Sequence, residues 1–278
     1  MNQVSRKEFE DYMASYKPWF CEGFHNEPLS FLQKNENRFY SMLTNISPYL
    51  KSGVKVCDFG SFPGSFLRVL NDFSPGMEIT SAGLLIDDEF KHSMDSINVD
   101  VLSVNLDPAH DGLPLYTDLP EYNIPKRNYF DIVIASEVFE HMINPVHLIW
   151  IASRILKPGG VIMVTTPNVA NIRERLRFLF GNSPNVPVHE SILDEKCGEW
   201  RPHYRLYTSA EVISTIENFD FHVVKSTYFH EMTSLTRTTL KSLIHMIPGF
   251  RHGQLQIAEK KLSTLCAKSS TGSPNGEL

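Results

Sequence analysis

Residues 130–168 read FDIVIASEVFEHMINPVHLIWIASRILKPGGVIMVTTPN. An apolar run, Phe130 to Ala135, ends in Ser136-Glu137. A helix-like segment with two carboxylates and a histidine follows (Glu137, Glu140, His141). A helix of about Asn144 to Leu156 then directs Val146, Ile149, Trp150, Ile151, Ile155 and Leu156 toward a core. Lys157-Pro158-Gly159-Gly160 stops it, because Pro cannot continue a helix and Gly accepts positive φ. A second apolar run, Val161 to Val164, ends in Thr-Thr-Pro-Asn. Strand, helix, tight turn, strand is one βαβ unit. Its polar residues fall at the strand ends, where open α/β sheets bind ligands.

Upstream, residues 54–70 (VKVCDFGSFPGSFLRVL) predict a strand from Val54 to Phe59, a Gly-containing turn and an apolar helix. Gly60 and Gly64 leave no Cβ in the way of a ligand, and the helix start offers free N–H groups. Asp58 at the strand end is placed to accept hydrogen bonds from a ligand amine. Residues 77–86 (MEITSAGLLI) predict a second strand, followed by acidic Asp87-Asp88-Glu89, and 99–106 (VDVLSVNL) a third. The acidic run reads equally well as a solvated helix N-terminus. The Pro-, Asp- and Asn-rich segment from Asp107 to Asn128 reads as loop.

Residues 1–50 predict helices rich in aromatics, a layer packed on the main domain or a cap with aromatics touching substrate; 3/4 spacing favours core for most of them. Residues 168–205 break the βα rhythm with an Arg-rich helix ending at Gly181 and a long polar loop, read as an insertion or lid. Thr208 and Glu211 form a capping-box pattern, and Phe221 to Lys225 a strand. Leu235 to Pro248 is an amphipathic helix candidate, Gln254 to Lys261 a last edge strand, and 268–278 a disordered tail. The domain plan is a helical cap over 1–50 and one α/β domain over 51–267.

Among 278 residues, 42% are hydrophobic and 21% charged, ordinary for a soluble globular protein. The net charge of -6 argues against nucleic acid and against general attraction to anionic membranes, though it leaves room for a local basic patch. Four scattered cysteines give neither a disulfide scaffold nor a zinc ribbon and read as reduced thiols of a cytoplasmic protein. MNQVSRKEFEDYM has no apolar core of a signal peptide, and no transmembrane segment is expected.

Four stretches together resemble the class I S-adenosylmethionine-dependent methyltransferases: VCDFGSFPGS, YFDIVIASEVFEHMINP, RILKPGGVIMVTTPN and HYRLYTSAEVISTIENFDFHVV. They cover about residues 50–225 in the family's order. A dehydrogenase is disfavoured, since its second fingerprint glycine would fall on Phe62. The resemblance implies a Rossmann-like, seven-stranded, mostly parallel sheet with helices on both faces. Its cofactor, S-adenosyl-L-methionine, would lie over the C-terminal strand ends. Asp58, Gly60 and Gly64 match positions around the methionine part, with Ser61 and Phe62 in the same loop. Asn105 and Leu106 match the adenine flank, and Ser136 and Glu137 the floor near the methyl group. Phe62 replaces the usual middle glycine, and Leu85 stands where a ribose-binding acid is expected. Asp87 is the substitute.

Glu137, Glu140 and His141 stand at i, i+3 and i+4, one face if helical. His203 opens HYRLYT. This set is similar to that of O-methyltransferases that use a divalent metal, Mg²⁺ or another. The resemblance implies metal ligation by Glu137, Glu140, His141 and His203, with catalytic roles for His141, His203 and Glu137. Alternatively a histidine is a plain base, or these residues only cap and brace the loop. The leading expectation is O-methylation of a small molecule, sugar or secondary metabolite. The alternatives are 2′-O-methylation of an RNA terminus, for which Arg173, Arg175, Arg177, Arg201 and Arg205 are the basic cluster, and an inactive scaffold. A homodimer is left open.

Overall fold

The computed structural model describes residues 4–17, 35–84, 86–107, 126–185, 202–230 and 247–262. Two helices, α1 (Arg6–Ser15) and α2 (Glu36–Ile46), precede the sheet. There follow β1 (Lys55–Phe59), α3 (Ser65–Phe73), β2 (Glu78–Gly83), α4 (Asp88–Asp95) and β3 (Val99–Ser103). Then come β4 (Phe130–Ser136), α5 (Pro145–Ile155), β5 (Leu156–Pro167), α6 (Ile172–Leu179), α7 (Ser209–Glu217), β6 (Phe221–Phe229) and β7 (Gly253–Lys260). One seven-stranded sheet results, in the order β3-β2-β1-β4-β5-β7-β6. All pairs are parallel except those of β7, which runs antiparallel to both neighbours.

The period-two alternation of strand side chains separates two cores. On one face Val56, Ile79, Ile132, Ile134 and Met163 meet α1 to α4 through Phe9, Met42, Leu43, Leu67, Leu70 and Phe90. On the other, Cys57, Phe59, Val133, Ala135, Ile162 and Val164 meet α5 and α7 through Leu148, Ile151, Ile155, Val212 and Ile216. Burial on both faces is why β4 reads as a continuous apolar run rather than an alternating one.

Three expectations change. Gln254 to Lys261 is not an edge strand: β7 lies between β5 and β6, with Gln254 and Gln256 fully buried, and β6 is the edge. Two glutamines can be buried here because the Gln254 amide donates to Pro167 O and Tyr207 O inside the protein. Lys157–Gly160 is not a free turn. Leu156 pairs with Phe130 and Val161 with Ile132, so residues 157–160 bulge opposite Asp131, whose carboxylate takes the Lys157 ammonium at 2.7 Å. The Phe221 strand continues to Phe229 because β7 offers it a full-length partner. The expected helix over 235–248 lies outside the described residues except for a 3₁₀ turn at Pro248–Phe250. The tail and the loop over 108–125 also lie outside them.

The helical layer at the N-terminus packs on the domain. Ser5 and Glu8 form a capping box that starts α1, and Phe9 stacks on Phe73 at 6.0 Å. Tyr12 meets Phe73 edge-on at 5.0 Å and donates its hydroxyl to Asp72. Trp19, Phe20, Phe24 and Phe31 lie outside the described residues. Among those described, no helix is long and apolar enough to cross a membrane. Phe9 is fully buried, so Phe9→Ala is expected to lower unfolding free energy by about 3–5 kcal/mol, read from urea denaturation.

Candidate functional site

The C-terminal ends of β1 and β4 and the start of α2 enclose a cavity of about 210 Å³. β1 delivers Asp58 to its floor, and the following turn supplies Gly60, Ser61 and Phe62. Gly60 has φ +65, and a Cβ there would stand 2.6 Å from Val138 Cγ2, so a side chain at this crossing of the two strand-end loops would be strained and would displace Val138. Gly64, at φ +87, closes the turn by donating its N–H to Ser61 O and begins α3. Phe62, in place of a glycine, packs its ring on Phe90 of α4 at 5.5 Å and so anchors the loop. Ser61 Oγ meets Ser81 Oγ of β2.

Asp58 is 3% exposed, and its Oδ1 has no hydrogen-bond partner. Burial pushes its carboxyl well above the usual aspartate range. An orphaned buried acceptor costs free energy unless a donor reaches it. The Ser65 hydroxyl, at the first turn of α3, is orphaned as well. The floor thus holds two unmet polar groups beside a turn that lacks side-chain bulk, a match for a ligand carrying an amino group. Gly64, Asp87, Asn105 and Leu106 do not line the cavity. Asp87 caps α4, its Oδ1 accepting from Phe90 N at 2.7 Å. Asn105 accepts from Asp107 N at 2.9 Å, and Leu106 packs in the second core. Leu85 lies outside the described residues.

The loop after β4 departs from the helical spacing expected for it. Glu137 has φ +53, in the left-handed region, and only Phe139–His141 form a 3₁₀ turn. The reversal at Glu137 is held by its N–H donating to Thr165 O at 3.0 Å and by Thr165 Oγ1 donating to its Oε1 at 2.9 Å. Glu137 Oε2 lies 3.4 Å from Arg38 Nη1. Ser136 Oγ shares the Thr165 hydroxyl at 3.0 Å.

Glu140 points elsewhere. It is fully buried, and its Oε2 accepts from Thr166 Oγ1 at 2.8 Å. Its Oε1 has no hydrogen-bond partner and lies 3.9 Å from His141 Nε2 and 4.0 Å from His203 Nε2. The backbone brings His203 there: Glu140 O accepts from Tyr204 N at 2.9 Å, and the two imidazoles meet edge-on at 4.5 Å. Ligand atoms of Glu140, His141 and His203 all lie within 4.8 Å of one another. Burial first, and then the neighbouring Glu137 charge, raise the Glu140 carboxyl well above the usual range. The four candidate ligands therefore divide: three converge, and Glu137 faces Arg38.

Asn35 and Arg38 also line the cavity and were not singled out from sequence; Phe39, one of the aromatics of the N-terminal helices, lines it as well. A signal existed, since Arg38 sits on the apolar face of α2 beside Phe39 and Met42 and is only 6% exposed. Asp107 was passed over too. It is fully buried, and its carboxylate accepts from Ile143 N at 2.7 Å and Asn144 N at 3.3 Å, clamping the β3 end to the turn that precedes α5. In the basic cluster, Arg177 pairs with Glu174 and Arg205 with Glu211, while Arg201 lies outside the described residues.

A family model described as "Methyltransferase domain" matches residues 32–226. The mitochondrial ubiquinone biosynthesis O-methyltransferase of Dictyostelium discoideum is 47% identical over 47 residues. That match spans only 17% of this chain and 15% of that relative. A solved S-adenosylmethionine-dependent methyltransferase from Archaeoglobus fulgidus shares the fold at 18% identity and TM-score 0.53, covering 83% of this chain and 99% of that one. A putative methyltransferase from Bacillus halodurans does so at 17% identity and TM-score 0.51, covering 80% and 98%.

A carboxyl whose folded-state pKa is raised contributes most stability below its unfolded value of about 4, and that contribution is lost as pH rises through the folded value. For Asp58 this means a cost at neutral and alkaline pH. Asp58→Asn is accordingly expected to raise the melting temperature of the ligand-free protein more at pH 8 than at pH 5, measured by scanning calorimetry.

Proposed function

The chain belongs to the methyltransferase-domain family and is an S-adenosylmethionine-dependent methyltransferase; we propose that its acceptor is a hydroxyl of a small molecule or glycan. The observation that carries this reading is the buried Glu140, whose unmet Oε1 faces His141 and His203 on the cavity wall. A neutral amine attacks through its own lone pair, whereas a hydroxyl is a poor nucleophile until its proton is lost or polarised.

S-adenosylmethionine, when bound, supplies a sulfonium methyl group open to in-line displacement. In our reading Asp58 takes the amino group of its methionine part, and the Gly60–Gly64 turn lets the backbone approach it. Asp87, Asn105 and Leu106 are proposed for its nucleoside part. Phe39, Phe62 and the α2 start exclude water from the cavity. Ser136 and Glu137 form the floor nearest the acceptor, and Arg38 keeps the Glu137 carboxylate in place.

His203 is the proposed base. Its side chain is 36% exposed and lines the cavity that an entering hydroxyl would occupy. The proton leaves the hydroxyl for the imidazole, and Glu140 Oε1 compensates the positive charge that forms. His141 braces His203 edge-on. The same three residues fit a divalent cation: one carboxylate oxygen and two imidazoles are a donor set for Mn²⁺, Fe²⁺ or Zn²⁺, and less so for Mg²⁺. Glu140, His141 and His203 would hold it, and it would lower the pKa of a bound hydroxyl.

Titration calorimetry with S-adenosylhomocysteine is expected to show one site, abolished in Asp58→Ala. His203→Ala and Glu140→Gln should each lower kcat by roughly 10²–10⁴-fold while leaving that affinity within a factor of about three. Loss of cofactor affinity in both variants would refute the acceptor role. Chelator treatment separates the two modes of activation: undiminished turnover in EDTA leaves the base alone, and restoration by one added cation assigns the metal.

A further inference from the structure

The α6 helix is built the wrong way round for a globular protein. Its acidic residue, Glu174, faces inward at 7% exposure, bonded through its N–H to the Asn171 cap and through its carboxylate to Arg177. Leu176 is 44% exposed, Leu179 74% and Phe180, just past the helix end, 77%; Phe178, at 72%, is exposed on another side of the helix. Leu176, Leu179 and Phe180 stand at i, i+3 and i+4 and form one stripe. Helical periodicity places Arg173 on one flank of that stripe and Arg175 on the other, and both are exposed. Arg175 is held rigidly, donating to Ala170 O with its guanidinium 5.4 Å from the Phe250 ring centroid. Beside Phe250, Ile247 adds a further exposed apolar side chain, at 42%.

An outward stripe of Phe and Leu between arginines matches a lipid bilayer surface that carries negative charge. The apolar side chains enter the acyl boundary, and the guanidiniums reach the phosphates on either side. The chain as a whole carries -6, so the arginine flanks select the face that meets the membrane. We propose that α6 docks this protein on an anionic membrane surface, with Leu176, Leu179 and Phe180 inserted and Arg173 and Arg175 on headgroup phosphates. α6 starts five residues after Pro167, at the end of β5 where Thr166 holds Glu140, so docking sets the ligand edge of the sheet near the bilayer. The proposal stands apart from the acceptor chemistry, because it is read by binding and not by turnover.

The test is co-sedimentation of the full chain with vesicles of phosphatidylcholine, with and without phosphatidylglycerol. Binding is expected only when phosphatidylglycerol is present, and to fall as salt is raised. Leu176→Ser/Leu179→Ser/Phe180→Ser should abolish it, and Arg173→Gln and Arg175→Gln should each weaken it roughly fivefold. Unchanged circular dichroism and unchanged S-adenosylhomocysteine affinity in these variants show that the fold is intact. Absence of pelleting at low salt overturns the proposal, as does a triple serine variant that still pellets. A wild-type dimer that the triple variant converts to monomer overturns it too, since a second copy then covers the stripe.

Discussion

Taking a carboxylate wholly out of water is costly, and Glu140 is one place where this protein does so. The rest of the ligand edge is arranged around that cost. Thr166 of β5 meets one carboxylate oxygen, and the Glu140 carbonyl fastens the chain at Tyr204, some sixty residues on. One residue thereby joins the β4 loop, the end of β5 and the segment ahead of α7. The second oxygen is left facing two imidazoles. That unmet acceptor is tolerated because a large core on both faces of the sheet carries the stability.

The neighbouring loop shows the same trade of stability for position. Glu137 occupies a left-handed backbone conformation that a glycine would take at less cost. Its side chain is then spent on Thr165 and Arg38, tying the N-terminal helix layer to the sheet. Asp107 does the equivalent on the other side by holding Ile143 and Asn144. The loops that close the cavity are thus fixed to each other as well as to their own strands.

Much of this was legible in the sequence. The βαβ pattern of residues 130–168 and the glycine turn after Asp58 gave the strands, their direction and the end at which polar groups gather. The convergence of Glu140 and His141 with a distant His203 was also anticipated, but by likeness to a family and not by helical spacing, which fails at Glu137. Propensity gives no warning of positive φ at a glutamate, since its hydrogen bonds with Thr165 of the later strand β5 decide it. β7 was misplaced for a related reason: burial of Gln254 and Gln256 depends on amide bonds to Pro167, Tyr207 and Ser209, partners remote in sequence. Arg38 is harder to see in the sequence, since a single arginine on an apolar helix face is compatible with a snorkelling side chain.

The antiparallel β7 has a consequence for how the protein comes into being. Every other strand of the sheet is made before it, yet it sits between β5 and β6 and pairs with both along most of its length. Until it emerges from the ribosome, β5 presents an open flank with its peptide groups unpaired, a template for strands of other nascent chains. Asn168, whose amide donates to Gly249 O and Arg251 O just ahead of β7, lacks those two bonds until then. A chain interrupted shortly before residue 253 would carry every residue of the candidate site and still lack the strand that seals the sheet beside it.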